Sequence, residues 1–128
     1  RERERERERG REMTERPVIE VDIISDVMCP WCYIGKRRLE AAMEAGAEKY
    51  DFRVHWLPYQ LWRSLGSEGV DRRQQYGRFY GERLEQKMGA LYDEANAVGV
   101  DLTAFLQPGG VMANTFQAHR LIHYATAF

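Results

Sequence analysis

Cysteine and proline are scarce in this chain: its 128 residues hold two of the first and four of the second. Cys29 and Cys32 are three positions apart, and so short a loop is no framework for a disulfide-stapled domain. It would add little to global stability, so the pair is better explained by reactivity. No apolar run approaches the roughly 18 residues that a membrane span needs. No basic start leads into an apolar stretch, so no secretory signal is read and a cytoplasmic location is the expectation. Neither sign of charge dominates, the formal net charge being -1, which gives no pointer to nucleic acid or an anionic membrane.

What the chain does hold is enough apolar material for one domain. Hydrophobic residues make up 44% and aromatics 12%, as in globular proteins with a core. Residues 1–12 are the exception, reading RERERERERGRE with no apolar side chain before Met13. A helix there would set opposite-charge pairs at i,i+3 against like-charge pairs at i,i+4. Neither a helix nor a strand would bury anything against the entropy of ordering, so residues 1–13 are expected to be a disordered tail.

Val18 to Ile24 is β-branched and nearly all apolar, the pattern of a buried strand. Ser25 and Asp26 end it, and Cys29-Pro30-Trp31-Cys32 follows. Proline second in that motif suits the first turn of a helix, where its missing N–H costs nothing. Ile34, Arg38, Leu39, Ala42, Met43 and Gly46 then recur at three-and-four spacing, with Lys36, Arg37, Glu40 and Glu44 opposite. Gly46 is the expected stop. Phe52 to Leu57 alternates, placing Phe52, Val54 and Trp56 on one face of a second strand that Pro58 ends. Strand, helix and strand in about 40 residues imply a parallel βαβ unit with a right-handed crossover. The cysteines lie at the carboxyl end of its first strand, where open α/β sheets favour chemistry.

The nucleophile of disulfide exchange is a thiolate, and a helix N-terminus favours an anion through its unpaired N–H groups and macrodipole. Cys29, just before the first turn, is therefore the expected attacking residue, with its pKa lowered. Cys32, one turn further in and expected to be more buried, resolves the mixed disulfide. Pro30 and Trp31 tune the redox potential through geometry and shielding. Asp26 is a candidate proton acceptor for Cys32, set against a plain solvated carboxylate at a strand end. Zinc is the competing use of this spacing, with His55, His119 and His123 as further ligands. The latter two lie nearly ninety residues from Cys32, far from the spacing of about 12–15 in compact fingers, so no metal is expected. Two unreactive core cysteines are the remaining alternative.

Tyr76, Tyr80, Leu84, Met88, Leu91, Ala95 and Val98 predict a helix of about six turns from an Asp71 cap to a Gly99 stop. Gly77, Gly81 and Gly89 lie within it and would weaken or bend it. Its aromatic stripe is read as core packing. Pro108-Gly109-Gly110 is a turn, and Asn114 is expected to cap a last helix carrying Phe116, Leu121, Ile122 and Tyr124. His119 and Arg120 either form its solvated face or line a cleft, and composition alone favours the solvated face.

Three stretches together carry a family resemblance: Ile23 to Lys36 around the cysteines, His55 to Leu61, and Asn114 to Ile122. They resemble the FrnE-like group of DsbA-family thiol oxidoreductases, which is related to kappa-class glutathione transferases and 2-hydroxychromene-2-carboxylate isomerases. The resemblance implies an α/β, thioredoxin-like fold with a helical insertion. It assigns residues 17–62 to the βαβ half and 63–128 to an incomplete insertion. It also implies dithiol–disulfide exchange with protein thiols through a redox-active CXXC pair, with no required cofactor. Glutathione would be an alternative co-substrate, with the Asn114 helix as its contact. Those glutathione-binding relatives usually carry serine at the position matching Cys29. Family members continue into further strands, the first preceded by a cis-proline. This chain reaches Phe128 within the helical part, and none of Pro17, Pro30, Pro58 and Pro108 suits that role.

Overall fold

The computed structural model describes residues 2–5 and 16–127. Residues 2–5 form one exposed helical turn, and the rest of the Arg/Glu tail lies outside the described residues. Strand β1 (Val18–Ser25) leads through a turn into helix α1 (Pro30–Gly46), and β2 (Asp51–Pro58) returns beside β1. The two strands pair in parallel from Val18 against Asp51 to Ser25 against Pro58, closing the expected βαβ unit. Helix α1 ends at Gly46, whose missing side chain makes room for an aromatic ring. A Cβ there would stand 3.1 Å from the Phe52 ring.

β1 departs from the expectation of a buried strand: Val18, Ile19 and Ile24 are 44%, 37% and 67% exposed. Its sheet has only two strands among the described residues, so the outer edge of each has no described strand beside it and much of one face stays uncovered. On that face Glu20 pairs with Arg53 and His55 across the register.

The helical part follows. The single long helix expected from Asp71 to Gly99 is broken in two. Helix α2 (Arg72–Tyr80) gives way to a 3-10 turn (Gly81–Arg83) and then to α3 (Leu84–Ala97). Gly81, at φ +55°, takes the left-handed backbone that ends the first segment. Both expected ends are present: Asp71 Oδ1 accepts the Gln74 N–H at 2.8 Å, and Gly99 follows α3 at φ +75°. A two-residue antiparallel ladder, β3 (Val70–Asp71) with β4 (Val111–Met112), has no counterpart in the sequence reading. Helix α4 (Phe116–Thr126) closes the described chain. Asn114 does cap it, from one residue further out than a standard N-cap, by accepting the Phe116 N–H at 2.9 Å.

The core lies in this helical part, where Tyr76, Met88, Leu91, Ala95, Val100, Leu106 and Met112 are buried. Trp62, Tyr80 and Phe105 pack against it. Ile34 of α1 is 1% exposed and joins the same cluster, so the helix that follows the cysteines is anchored on the helical part. An exposed ion pair of Arg38 with Glu94 links α1 to α3 at the rim.

Candidate functional site

Both cysteines sit where β1 hands over to α1. The Cys29 N–H donates to the Asp26 carbonyl at 3.1 Å, tightening the turn. Cys29 is the N-cap of α1 and Pro30 is its first residue, as the sequence predicts. The Cys32 N–H donates to Cys29 Sγ at 3.3 Å, so the sulfur occupies the place of a capping oxygen. Both side chains are free thiols and both are half-buried. A cavity of about 710 Å³ opens on both sulfurs.

The thiol chemistry also departs from expectation. Burial is the largest influence on Cys29 and, with the neighbouring Cys32 thiol, pushes its pKa up to about 11. N–H donors from Cys32 and Trp31 act in the opposite direction. The helix start lies where the sequence puts it, but burial of the sulfur and the neighbouring thiol set the direction of the Cys29 shift. One of those surroundings is Tyr76, whose phenol is raised to about 12 mainly by burial and next by the charge on Cys29. Trp31 is exposed beside the pair. Pro30 is buried at the head of α1.

Asp26 is 3% exposed rather than solvated. Its Oδ2 accepts the Leu61 N–H at 2.8 Å, and its Oδ1 lies 3.1 Å from His119 Nε2. The same ring nitrogen is 2.9 Å from the Tyr59 carbonyl. His119 therefore faces inward, correcting its reading as solvated surface, while its neighbour Arg120 is exposed as read. Asp26 and His119 line the cavity that holds both sulfurs. No spacing rule joins residues 93 positions apart. A signal for the inward face does exist: Thr115, Ala118, His119 and Ile122 follow i, i+3, i+4, i+7 spacing. Lys36, read as part of the polar face of α1, also lines the cavity, beside its partner Glu40.

Asn114 lies apart from this cavity. Its Nδ2 donates to Gln60 Oε1 at 3.1 Å and to the Arg63 carbonyl at 3.3 Å, tying the head of α4 to the loop after β2. Among the described residues no three His, Cys, Asp or Glu side chains gather as a metal site would, and no helix is long and apolar enough to cross a membrane.

The fold and sequence have counterparts in known proteins. The family description "DSBA-like thioredoxin domain" matches residues 20–127. The chain belongs to that family. Its fold is accordingly the thioredoxin-like unit with helical insertion expected from the sequence. It superposes on a probable DsbA oxidoreductase from Streptomyces coelicolor with a TM-score of 0.69 and 28% identity, over 84% of this chain and 47% of that one. It is also similar to the uncharacterised protein YwbO of Bacillus subtilis, at 35% identity over 43 residues, or 34% of this chain and 20% of that protein. The chain thus spans about half or less of the length of the relatives it matches.

Proposed function

We propose that this DsbA-family chain carries the exchange centre of a protein thiol–disulfide oxidoreductase, and that within the family it falls in the FrnE-like group that its three sequence stretches resemble. The observation that carries the reading is the Cys29 sulfur at the N-cap of α1, with Cys32 one turn on and both open to one cavity.

In the reducing direction, Cys29 Sγ as thiolate attacks one sulfur of a substrate disulfide. The substrate S–S bond breaks, a mixed disulfide forms, and the departing thiolate takes up a proton. Cys32 then loses its proton and attacks Cys29 Sγ, releasing the second substrate thiol. Two electrons and two protons pass from the dithiol to the substrate, leaving a Cys29–Cys32 disulfide. The reverse sequence oxidises a substrate dithiol. Pro30 and Trp31 set the geometry and exposure of the pair. Asp26, held by Leu61 and His119, is the acceptor for the Cys32 proton.

A Cys32→Ser variant in its reduced form should accumulate a mixed disulfide with disulfide-containing protein substrates, identified by mass spectrometry at Cys29. A Cys29→Ser variant should lose insulin-disulfide reduction. Reductase activity that persists in Cys29→Ser would remove the proposal. Glutathione-dependent transfer draws less support, since the Asn114 carboxamide is already engaged in three internal hydrogen bonds.

A further inference from the structure

A second cavity of about 790 Å³ adjoins the first, sharing Pro58, His119 and His123 with it. Arg63 and Gln60 from the loop after β2 form one wall, and Phe116 and Arg120 of α4 form the other. Its lining includes two arginines and two histidines but no aspartate or glutamate. Several other arginines are paired, although Arg78 and Arg83 form no ion pair with a described residue. Arg16, Arg37, Arg38, Arg53 and Arg73 each meet a carboxylate, and Arg72 donates to two backbone carbonyls. Arg63 and Arg120 form no ion pair with a described residue, and the Arg120 guanidinium donates to the neutral Gln117 amide at 2.9 Å. What sets Arg63 and Arg120 apart is that they share one groove whose lining holds no carboxylate, in a chain of net charge -1.

We infer that this groove takes an acidic peptide segment flanking the substrate's reacting cysteine. The inference rests on the exchange reading above and names the substrate class for it. A space of that volume is about 11 Å across, or about three residues of extended chain at ~3.3 Å each. A peptide whose cysteine sits at Cys29 crosses the first cavity past His119 and His123, and its flanking residues then reach the groove between Arg63 and Arg120. The Phe116 ring offers apolar surface to their stems. Guanidinium groups recognise carboxylates through paired N–H donors, a match that lysine does not make. Both arginines are exposed, so the attraction acts on encounter and weakens with salt.

The test compares two disulfide-linked reporter peptides that differ only in carrying glutamate or glutamine at the two to three residues after the cysteine. The acidic peptide should be turned over with kcat/KM about tenfold higher, and the ratio should shrink from about 50 to about 500 mM salt. In the double variant Arg63→Gln/Arg120→Gln the ratio should fall to about one. Equal rates for the two peptides in the unaltered protein overturn the inference while leaving the exchange reading intact. Anisotropy binding to Cys29→Ser/Cys32→Ser separates the converse. Tighter binding of the acidic peptide without turnover in the unaltered protein supports the groove and removes the exchange reading. Arginine dependence seen with glutathione disulfide alone, and with neither peptide, would assign the carboxylate site to a small thiol and overturn the peptide as occupant.

Discussion

Between Tyr76 and Met112 the chain buries Tyr76, Met88, Leu91, Ala95, Val100, Leu106 and Met112, while β1 and β2 leave Val18, Ile19, Ile24, Trp56 and Leu57 at 37% to 67% exposure. Both regions carry apolar sequence, and only the helical one turns it into a core. The βαβ unit takes its form from the parallel ladder and the capped helix start rather than from burial. Its link to the rest is Ile34, two residues past Cys32, inserted into the helical core. The cysteine-bearing turn is thus held from behind by the helical part, and the sheet supplies its floor.

If that division is right, the largest losses follow substitutions in the helical core. Leu91→Ala removes a side chain with 0% exposure and should cost about 2–5 kcal/mol through lost transfer energy and a residual cavity. Ile24→Ala, at 67% exposure on β1, should stay within about 0.5 kcal/mol. Urea midpoints of the two variants give the comparison directly. Equal losses would mean that the sheet carries as much of the stability as the core.

Asp26 joins the two regions and should come next. Asp26→Ala leaves the Leu61 N–H and the inward His119 ring without their carboxylate partner, a loss of about 1–3 kcal/mol. His119→Gln, which keeps a donor, should recover part of what His119→Leu loses. If Asp26→Ala proves neutral in urea unfolding, the cross-region contact contributes no net stability.

These residues also mark what the sequence makes legible. The order of strand, helix and strand, the start of α1 at Pro30 and the Asp71 cap all depend on neighbours within four residues. Periodicity and capping chemistry therefore reveal them. Gly81 is one of three glycines expected to weaken or bend the long helix, but a full break there is not legible because the apolar stripe from Tyr76 to Val98 keeps its spacing through the 3-10 turn. The pairing of Asp26 with His119 escaped because it depends on how α4 returns over the end of β1, which no local pattern encodes. The exposure of β1 escaped for a related reason: a run of β-branched residues reports a preference for burial, not the presence of a covering layer.

Within the helical part, Asp71→Ala removes the acceptor of the Gln74 N–H and should cost about 1 kcal/mol, with Asp71→Asn or Asp71→Ser close to neutral. The far-ultraviolet helical signal should fall with temperature sooner in the alanine variant. A neutral alanine substitution would show that β3 pairing, rather than the cap, starts α2.

The smallest effect on stability, and the most pointed for chemistry, concerns Cys29. The sequence argues for a thiolate favoured by the helix start, whereas burial and the Cys32 thiol raise the pKa from 9.0 to about 11. The folded protein therefore holds its proton to higher pH than the unfolded chain does. The stabilising preference for the neutral thiol is complete below about pH 9 and is lost as pH rises toward 11. Because the sulfur is half-exposed, solvent shares the cost and the stability change should be small. The reactivity change should be plain: iodoacetamide labelling of Cys29 in the reduced protein should climb through pH 9–11 rather than level off below pH 8. A raised thiol pKa leaves the dithiol unstabilised as an anion, which favours the disulfide and a reducing couple. A labelling midpoint below pH 8 would reverse both conclusions, giving the N–H groups of Trp31 and Cys32 the larger share and the pair an oxidising bias.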